Sequence, residues 1–252
     1  MKILGVIPAR YGSSRFEGKP LAFINGKMMI QRVYEQASKA MLLDEVVVAT
    51  DDERIADAVN AFGGTAVMTS PNHKSGTDRC CEVVAKMNTT FDAVVNIQGD
   101  EPYINPLQID QIAAIIAHGD NRLASLCKQI HDYDELVSPN AVKVVLDVNG
   151  KALYFSRHPI PFMRNVPDVN EWLSNRCFYK HIGIYAYRTD TLREIASLPQ
   201  SGLEKAESLE QLRWLQAGYR IKVAQTSKET IGIDTPDDLN RAEQFLAHEE
   251  EM

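Results

Sequence analysis

The chain has 252 residues, a net charge of −7 and 44% hydrophobic residues, which fits one large α/β domain or two small ones of an ordinary soluble globule. The acidic balance argues against general nucleic-acid or membrane binding. No apolar run reaches the ~18 residues of a membrane span, and no secretory leader pattern opens the chain.

Cys80, Cys81, Cys127 and Cys177 lack metal-ligand spacing. They read as reduced thiols, so a cytoplasmic setting is expected. Ile3 to Ile7 is an apolar run that reads as a strand buried on both faces and ended by Pro8. The loop behind it holds Gly12, Ser13, Ser14 and Gly18 with the cations Arg10, Arg15 and Lys19. Glycines let backbone N–H groups converge on an anion, and the cations add charge and directed donors. Such a loop lies at the strand end where open α/β sheets bind ligands, so it reads as a triphosphate cradle. A solvated basic loop is the plainer alternative. A Walker-type loop does not fit: five residues separate Gly12 from Gly18, and Pro20 follows Lys19 where a metal-holding hydroxyl is needed.

Met28 to Ala40 carries a helical apolar stripe, and Glu45 to Thr50 is a second buried strand. Asp51 or Asp52 then caps a helix running to about Phe62, stopped by Gly63 and Gly64. After a short strand, Thr65 to Thr69, a polar run from Ser70 to Arg79 enters a helix capped by Ser75 or Thr77. Its plain reading is capping beside a solvated Arg79. Its functional reading sets backbone groups and Arg79 against a flat base. His73 carries no catalytic assignment. Ala93 to Ile97 is the next buried strand, with Gln98-Gly99-Asp100-Glu101-Pro102 at its carboxyl end. Asp100 there suits Mg²⁺ bridging nucleotide phosphates, or an Asx turn before Pro102. With a helix from Ile104 to Ala117, the alternation predicts a doubly wound, mostly parallel sheet.

The pattern changes between about 121 and 188. Leu123 to Ile130, Ala141 to Asp147 and Ala152 to Arg157 read as strands, with Asn149-Gly150 as a tight hairpin turn. Pro159 to Arg176 is irregular and contains Arg164 and Trp172. Phe178 to Arg188 alternates, so His181 and Tyr185 project from one face, on a strand whose plain reading is a half-buried edge. This antiparallel insertion is expected to supply a substrate pocket or a subunit contact within one continuous domain. Thr189 to Ala196 is a helix, and Ser201 to Gly218 reads as a further packed helix presenting Glu210 and Gln211. Ile221 to Val223 returns to strand. Asp234 or Thr235 starts a C-terminal helix with Pro236 in its first turn; capping is the default use of Asp234, and sharing a metal with Asp100 is the alternative.

Taken together, these segments resemble the sugar-acid cytidylyltransferases. The resemblance rests on Pro8-Ala-Arg-Tyr-Gly-Ser-Ser-Arg-Phe-Glu-Gly-Lys-Pro-Leu21, His73-Lys-Ser-Gly-Thr-Asp-Arg79, Asn96-Ile-Gln-Gly-Asp-Glu-Pro102 and Asn140-Ala-Val-Lys-Val-Val145. It continues through Leu153-Tyr-Phe-Ser-Arg157, His181-Ile-Gly-Ile-Tyr185, Leu209-Glu-Gln-Leu212 and Gly232-Ile-Asp-Thr-Pro-Asp-Asp-Leu239. Phe16-Glu17 departs from the commoner Leu-Pro or Phe-Pro and touches no residue with an assigned role. The ensemble is most similar to the branch that uses 3-deoxy-manno-octulosonate (Kdo).

The resemblance implies a nucleotide-diphospho-sugar transferase fold and a homodimer joined through the inserted strands. It implies Mg²⁺-dependent transfer of CMP from CTP to Kdo, feeding lipopolysaccharide assembly. Arg10, Ser13, Arg15 and Lys19 would hold the triphosphate, Asp100 and Asp234 the metal, and Ser75, Gly76 and Arg79 the cytosine. Gln98, Arg157, Arg164, His181, Tyr185, Glu210 and Gln211 would bind the sugar acid. An 8-amino analogue of Kdo or sialic acid stays open as the acceptor, and a catalytically dead nucleotide-binding regulator is the reading from another class.

Overall fold

The computed structural model describes residues 1–12, 16–175, 177–229 and 232–239. Ser13, Arg15 and the C-terminal tail of the sequence reading lie outside them. In chain order the strands and helices are β1 (Ile3–Ala9), β2 (Phe23–Ile24), β3 (Lys27–Met28), α1 (Met29–Ala37), β4 (Glu45–Thr50), α2 (Glu53–Ala61), β5 (Ala66–Met68) and α3 (Gly76–Lys86). There follow β6 (Ala93–Asn96), α4 (Pro106–Ala117), β7 (Leu123–Gln129), α5 (Tyr133–Val137), β8 (Lys143–Leu146), β9 (Ala152–Ser156), β10 (Tyr179–Arg188), α6 (Thr189–Ala196), α7 (Gly202–Glu207), α8 (Gln211–Gln216) and β11 (Lys222–Gln225).

The main sheet runs β11-β7-β10-β6-β1-β4-β5, and β8 and β9 attach through β10. Pairings among β6, β1, β4 and β5, and between β11 and β7, are parallel; β10 runs against its neighbours. Both faces are covered, which is why the strands read as continuous apolar runs. Ile3, Ile7, Val46 and Val48 pack on one side with α1, α2 and α4. Leu4, Val6, Val47 and Ala49 pack on the other with α3, α6 and α8. Among the described residues no helix is long and apolar enough to cross a membrane. All four cysteines are free thiols.

Four expectations need correction. Pro8 does not end β1: it pairs in register with Ala49, and Ala9 with Thr50. Val6 O accepts from Ile97 N, so Pro8, two residues on, also turns toward the β6 side, where pairing has stopped. Its missing N–H therefore removes no ladder bond. The stretch from Ser201 to Gly218 is two short helices, because Ser208 adopts the left-handed conformation (φ 52°) and breaks the ladder between α7 and α8. The helix expected from Met28 begins at Met29 and ends at Ala37, since Met28 pairs with Phe23 in a small hairpin. Finally, β10 is an interior strand flanked by β6 and β7, so the half-buried edge reading of His181 and Tyr185 is set aside.

Candidate active site

A cavity of about 280 Å³ opens at the carboxyl ends of β1 and β6, lined by Arg10, Lys19, Ser75, Gly76, Arg79, Gln98, Asp100 and Asp234. This is the crevice where open α/β sheets place ligands. Each side chain has a local reason to be there.

The loop after β1 closes on itself through Gly18 N donating to Tyr11 O (2.9 Å), and the Arg54 guanidinium lies 3.3 Å over the Tyr11 ring. Gly18 takes φ +69°, and a Cβ there would sit 3.2 Å from the same ring. The chain then turns through a 3-10 segment, Lys19–Leu21, that aims Lys19 inward. Arg10 is exposed on the cavity wall, and no described residue pairs with its guanidinium.

Ser75, and not Thr77, caps α3: its Oγ accepts from Asp78 N, and Asp78 returns the bond to Ser75 N. Thr77 faces the interior and donates to Glu210 Oε2 (3.0 Å). Arg79 is not solvated. Only 4% of it is exposed, and it donates to Asp51 Oδ2 (2.7 Å) and Thr69 Oγ1 (2.7 Å). Asp52 is the cap of α2, which leaves Asp51 for this pair.

Asp100 and Asp234 come together because Ile233 N donates to Asp100 O (2.9 Å), tying residues 232–234 to the end of β6. Asp234 is not the cap of the helical turn at 236–239; Thr235 and Asp238 exchange those bonds. Both carboxylates instead reach Lys19 Nζ, Asp100 at 2.8 Å and Asp234 at 3.4 Å. Two carboxylates beside a cavity lined by cations are the donor set that Mg²⁺ takes with nucleotide oxygens, so the residues fit that ion. Glu101 does not join them: burial first, and the Asp100 charge second, push its carboxyl up to about 8 and keep it neutral.

Gly99 is fixed by close approach, since a Cβ there would lie 2.5 Å from Pro8 O, a backbone atom with no room to yield. Gly99→Ala is expected to cost about 2 kcal/mol of stability and roughly tenfold in activity. Denaturant melts and initial rates check this, and wild-type values in both would show that β1 and β6 can part at no cost.

The sugar-acid candidates divide. Gln98 lines the cavity and donates to Gly183 O (2.9 Å). His181 and Tyr185 do share a face, with ring centroids 5.3 Å apart, because the register of β10 slips by two residues between Ile182 and Tyr185 and so preserves the alternation. His181 also lines a second cavity of about 280 Å³ with Glu101, Asn140 and Lys180. Tyr185 and Glu210 belong to a buried cluster with Asn96, Thr77, Tyr187 and Trp214. Among the described residues, Asn96 Oδ1, Tyr185 OH, Glu210 Oε1 and Trp214 Nε1 make no hydrogen bond there, although the Arg213 guanidinium lies 3.9 Å from Glu210 Oε1. Buried polar groups are normally paired, so a concentration of two donors and two acceptors awaits a polar ligand or water. Gln211 is buried in the first turn of α8. Arg157 is directed elsewhere: its guanidinium donates to Glu207 O, Pro139 O and Ser208 O. Arg164 is exposed, and neither residue lines either cavity.

Ser125 Oγ has one proton to give, and Ile184 O takes it at 2.9 Å. His181 Nε2, 2.8 Å from the same oxygen, is therefore assigned as the donor, leaving Nδ1 an acceptor. Burial pushes this imidazole down to about 3, so it works neutral and not as a cation for a carboxylate. Its folded value lies below the unfolded ~6.5, so stability is lost as pH falls through 6.5 toward 3. Between pH 7 and 4 the wild type is expected to lose about 3 kcal/mol that His181→Gln keeps. Parallel pH slopes in denaturant melts would refute this.

Sequence reasoning missed Asn96 and Thr77, and the cavity-lining His73 and Lys74. Lys74 stood inside a motif already singled out, so its charge was an available signal. The orphaned atoms were not, since they exist only once β6, β10 and α8 are packed.

A profile of the cytidylyltransferase family matches residues 4–223. A 3-deoxy-manno-octulosonate cytidylyltransferase of Parabacteroides distasonis is 56% identical, over 98% of this chain and 99% of its own length. That of Bacteroides thetaiotaomicron is 57% identical, over 98% of both chains. The solved structure of a CMP:2-keto-3-deoxy-manno-octonic acid synthetase complexed with CTP superposes with a TM-score of 0.90 at 45% identity, covering 99% of this chain and all of the other. A 4-diphosphocytidyl-2C-methyl-D-erythritol synthase from Anaerococcus prevotii, at 12% identity and a TM-score of 0.64, shares the fold.

Proposed function

The chain belongs to the cytidylyltransferase family, and on that premise we propose that it transfers CMP from CTP to the anomeric hydroxyl of Kdo, releasing pyrophosphate. The observation that carries this reading is the single cavity joining a cationic loop, a capped helix start with a buried arginine, and two carboxylates. A loop without carboxylates would bind a nucleotide; the pair beside it suits turnover.

The sugar's anomeric oxygen attacks the α-phosphorus, and the bond to the bridging oxygen of pyrophosphate breaks in line. Such transfers depend on positioning and on neutralising charge, and no protein nucleophile is needed. Arg10 and Lys19, with Arg15 and Ser13 in the same loop, hold the triphosphate. Ser75, Gly76 and Arg79 face the base: a guanidinium donates to the cytosine carbonyl while backbone carbonyls accept from its amino group, a pairing uracil cannot reproduce. Asp100 and Asp234 would hold Mg²⁺, which when bound would supply positive charge to the phosphate oxygens. Gln98, His181, Tyr185, Glu210 and Gln211 receive the sugar acid, with Tyr185 OH, which makes no hydrogen bond among the described residues, as the group a polyol satisfies.

Homodimerisation belongs to the same reading. The hairpin of β8 and β9 borders a cleft of about 570 Å³ near fully exposed Val148, and Leu153 and Phe162 are also exposed, a face suited to a second copy. Free thiols support a cytoplasmic setting, where the product would enter lipopolysaccharide assembly. The deciding experiment is Mg²⁺-dependent pyrophosphate release from CTP with Kdo, its 8-amino analogue and sialic acid. No release with any of them would leave a nucleotide-binding protein without this activity.

Tyr185 offers a sharper check of the sugar subsite. Its hydroxyl is buried and makes no hydrogen bond among the described residues, so Tyr185→Phe is expected to raise stability by up to about 1 kcal/mol. The same change should lower kcat/KM for Kdo by roughly tenfold, as should His181→Ala, while CTP affinity measured without Kdo holds. Weaker CTP binding with unchanged Kdo kinetics would exchange the two subsites.

A further inference from the structure

Lys19 lies where the two carboxylates of the site converge. Its ammonium donates to Asp100 Oδ2 (2.8 Å) and to Ile233 O (2.8 Å), with Asp234 Oδ1 at 3.4 Å. An ammonium has three donors, and here three oxygens from three residues surround it. The lysine side chain keeps 16% of its exposure, so the group is largely withdrawn from water. A cluster of hard oxygens around one point is what a divalent cation requires, and the protein has filled that point with a cation of its own.

We propose that Lys19 is the resident counter-ion of the metal site: without nucleotide its ammonium closes the Asp100–Asp234 pair to a divalent cation, and a triphosphate opens the pair by drawing the lysine away. The inference rests on the metal reading of these two carboxylates and adds an order of events to it. A dication approaching the pair with the ammonium in place meets like charge at contact distance. The 3-10 turn anchors the lysine backbone, but its four-carbon stem is free to swing. Arg10 and Lys74 line the same cavity, so an arriving triphosphate finds further cations and presents Lys19 with a polyanion in exchange for two carboxylates. Metal and nucleotide must then each tighten the other's binding by the same factor. A lysine serving only as a structural bridge between Asp100 and the 232–234 segment would leave the metal affinity of the nucleotide-free protein unchanged on its removal.

The test uses Mn²⁺ alone as the probe, titrated into nucleotide-free protein while the free-ion electron paramagnetic resonance signal is followed. Lys19→Met is expected to bind Mn²⁺ roughly tenfold or more tightly than the wild type, and Lys19→Gln likewise, which covers a folding failure of either. Adding Asp100→Asn to the lysine variant should abolish the gain. Equal affinity in wild type and both lysine variants overturns the proposal. A gain that survives both Asp100→Asn and Asp234→Asn places the ion elsewhere, and overturns the metal reading with it. A gain lost with Asp100→Asn, in a protein that turns over no sugar acid, supports the lysine's role and removes only the substrate assignment.

Discussion

Asp100→Asn and Asp234→Asn are each expected to lower turnover by about a thousandfold, the scale of losing one strong electrostatic contact to a developing charge, while the protein stays folded. Both residues sit at ends of elements and keep appreciable exposure, with side chains 32% and 49% accessible, so neither supports the core. Lys19 retains the Ile233 carbonyl and one carboxylate in either variant. The stability change should stay within about 1 kcal/mol, as for other partly exposed ion pairs. The amide keeps the shape of the acid and removes its charge, so the comparison isolates what the anion does. Pyrophosphate release at saturating CTP and Kdo, beside a thermal melt, measures both halves. Near-normal Mg²⁺-dependent activity in either variant removes that residue from the metal set, whereas a collapsed melt would assign the loss to folding.

These two acids were legible in the sequence for a physical reason. Each follows a buried apolar stretch or sits before a helix start, and the position of a strand end fixes where its next few residues point. The same logic found the loop after β1, because two-sided burial makes a parallel strand readable as a short apolar run. What the chain order could not give was partnership at a distance. Asp51 and Asp52 look alike in sequence; only packing of α3 against β4 assigns Asp52 to a helix cap and Asp51 to Arg79. Arg157, read as a sugar ligand, lies beside the end of α7, whose carbonyls take its guanidinium. The break at Ser208 escaped because a serine in the left-handed region carries no mark that a glycine would. The interior place of β10 escaped because its neighbours β6 and β7 precede it by many residues, and period-two alternation does not distinguish an interior strand with a polar pocket from an edge.

Arg79 carries the last expectation, and the structure divides it in two. Removing the guanidinium leaves Asp51 facing the interior without its counter-charge, its side chain only 16% exposed. Breaking a buried pair from one side costs about 3 kcal/mol or more, so Arg79→Met should melt well below the wild type. Adding Asp51→Asn removes the stranded charge and should recover part of that loss, since contacting residues are not additive. Base choice should not recover with it. Arg79 lines the cavity beside Ser75 and Gly76, and a donor lost opposite a buried base is worth about 1–3 kcal/mol. Both the single and the double variant are therefore expected to show a CTP Michaelis constant raised about tenfold and a smaller preference for CTP over UTP. The measurement is kcat/KM for the two nucleotides in each protein, compared at a temperature where all are folded. If the double variant regains stability and base preference together, Arg79 acts on the base only by holding β4, Thr69 and α3 in place. If stability returns and discrimination does not, the guanidinium reads cytosine directly.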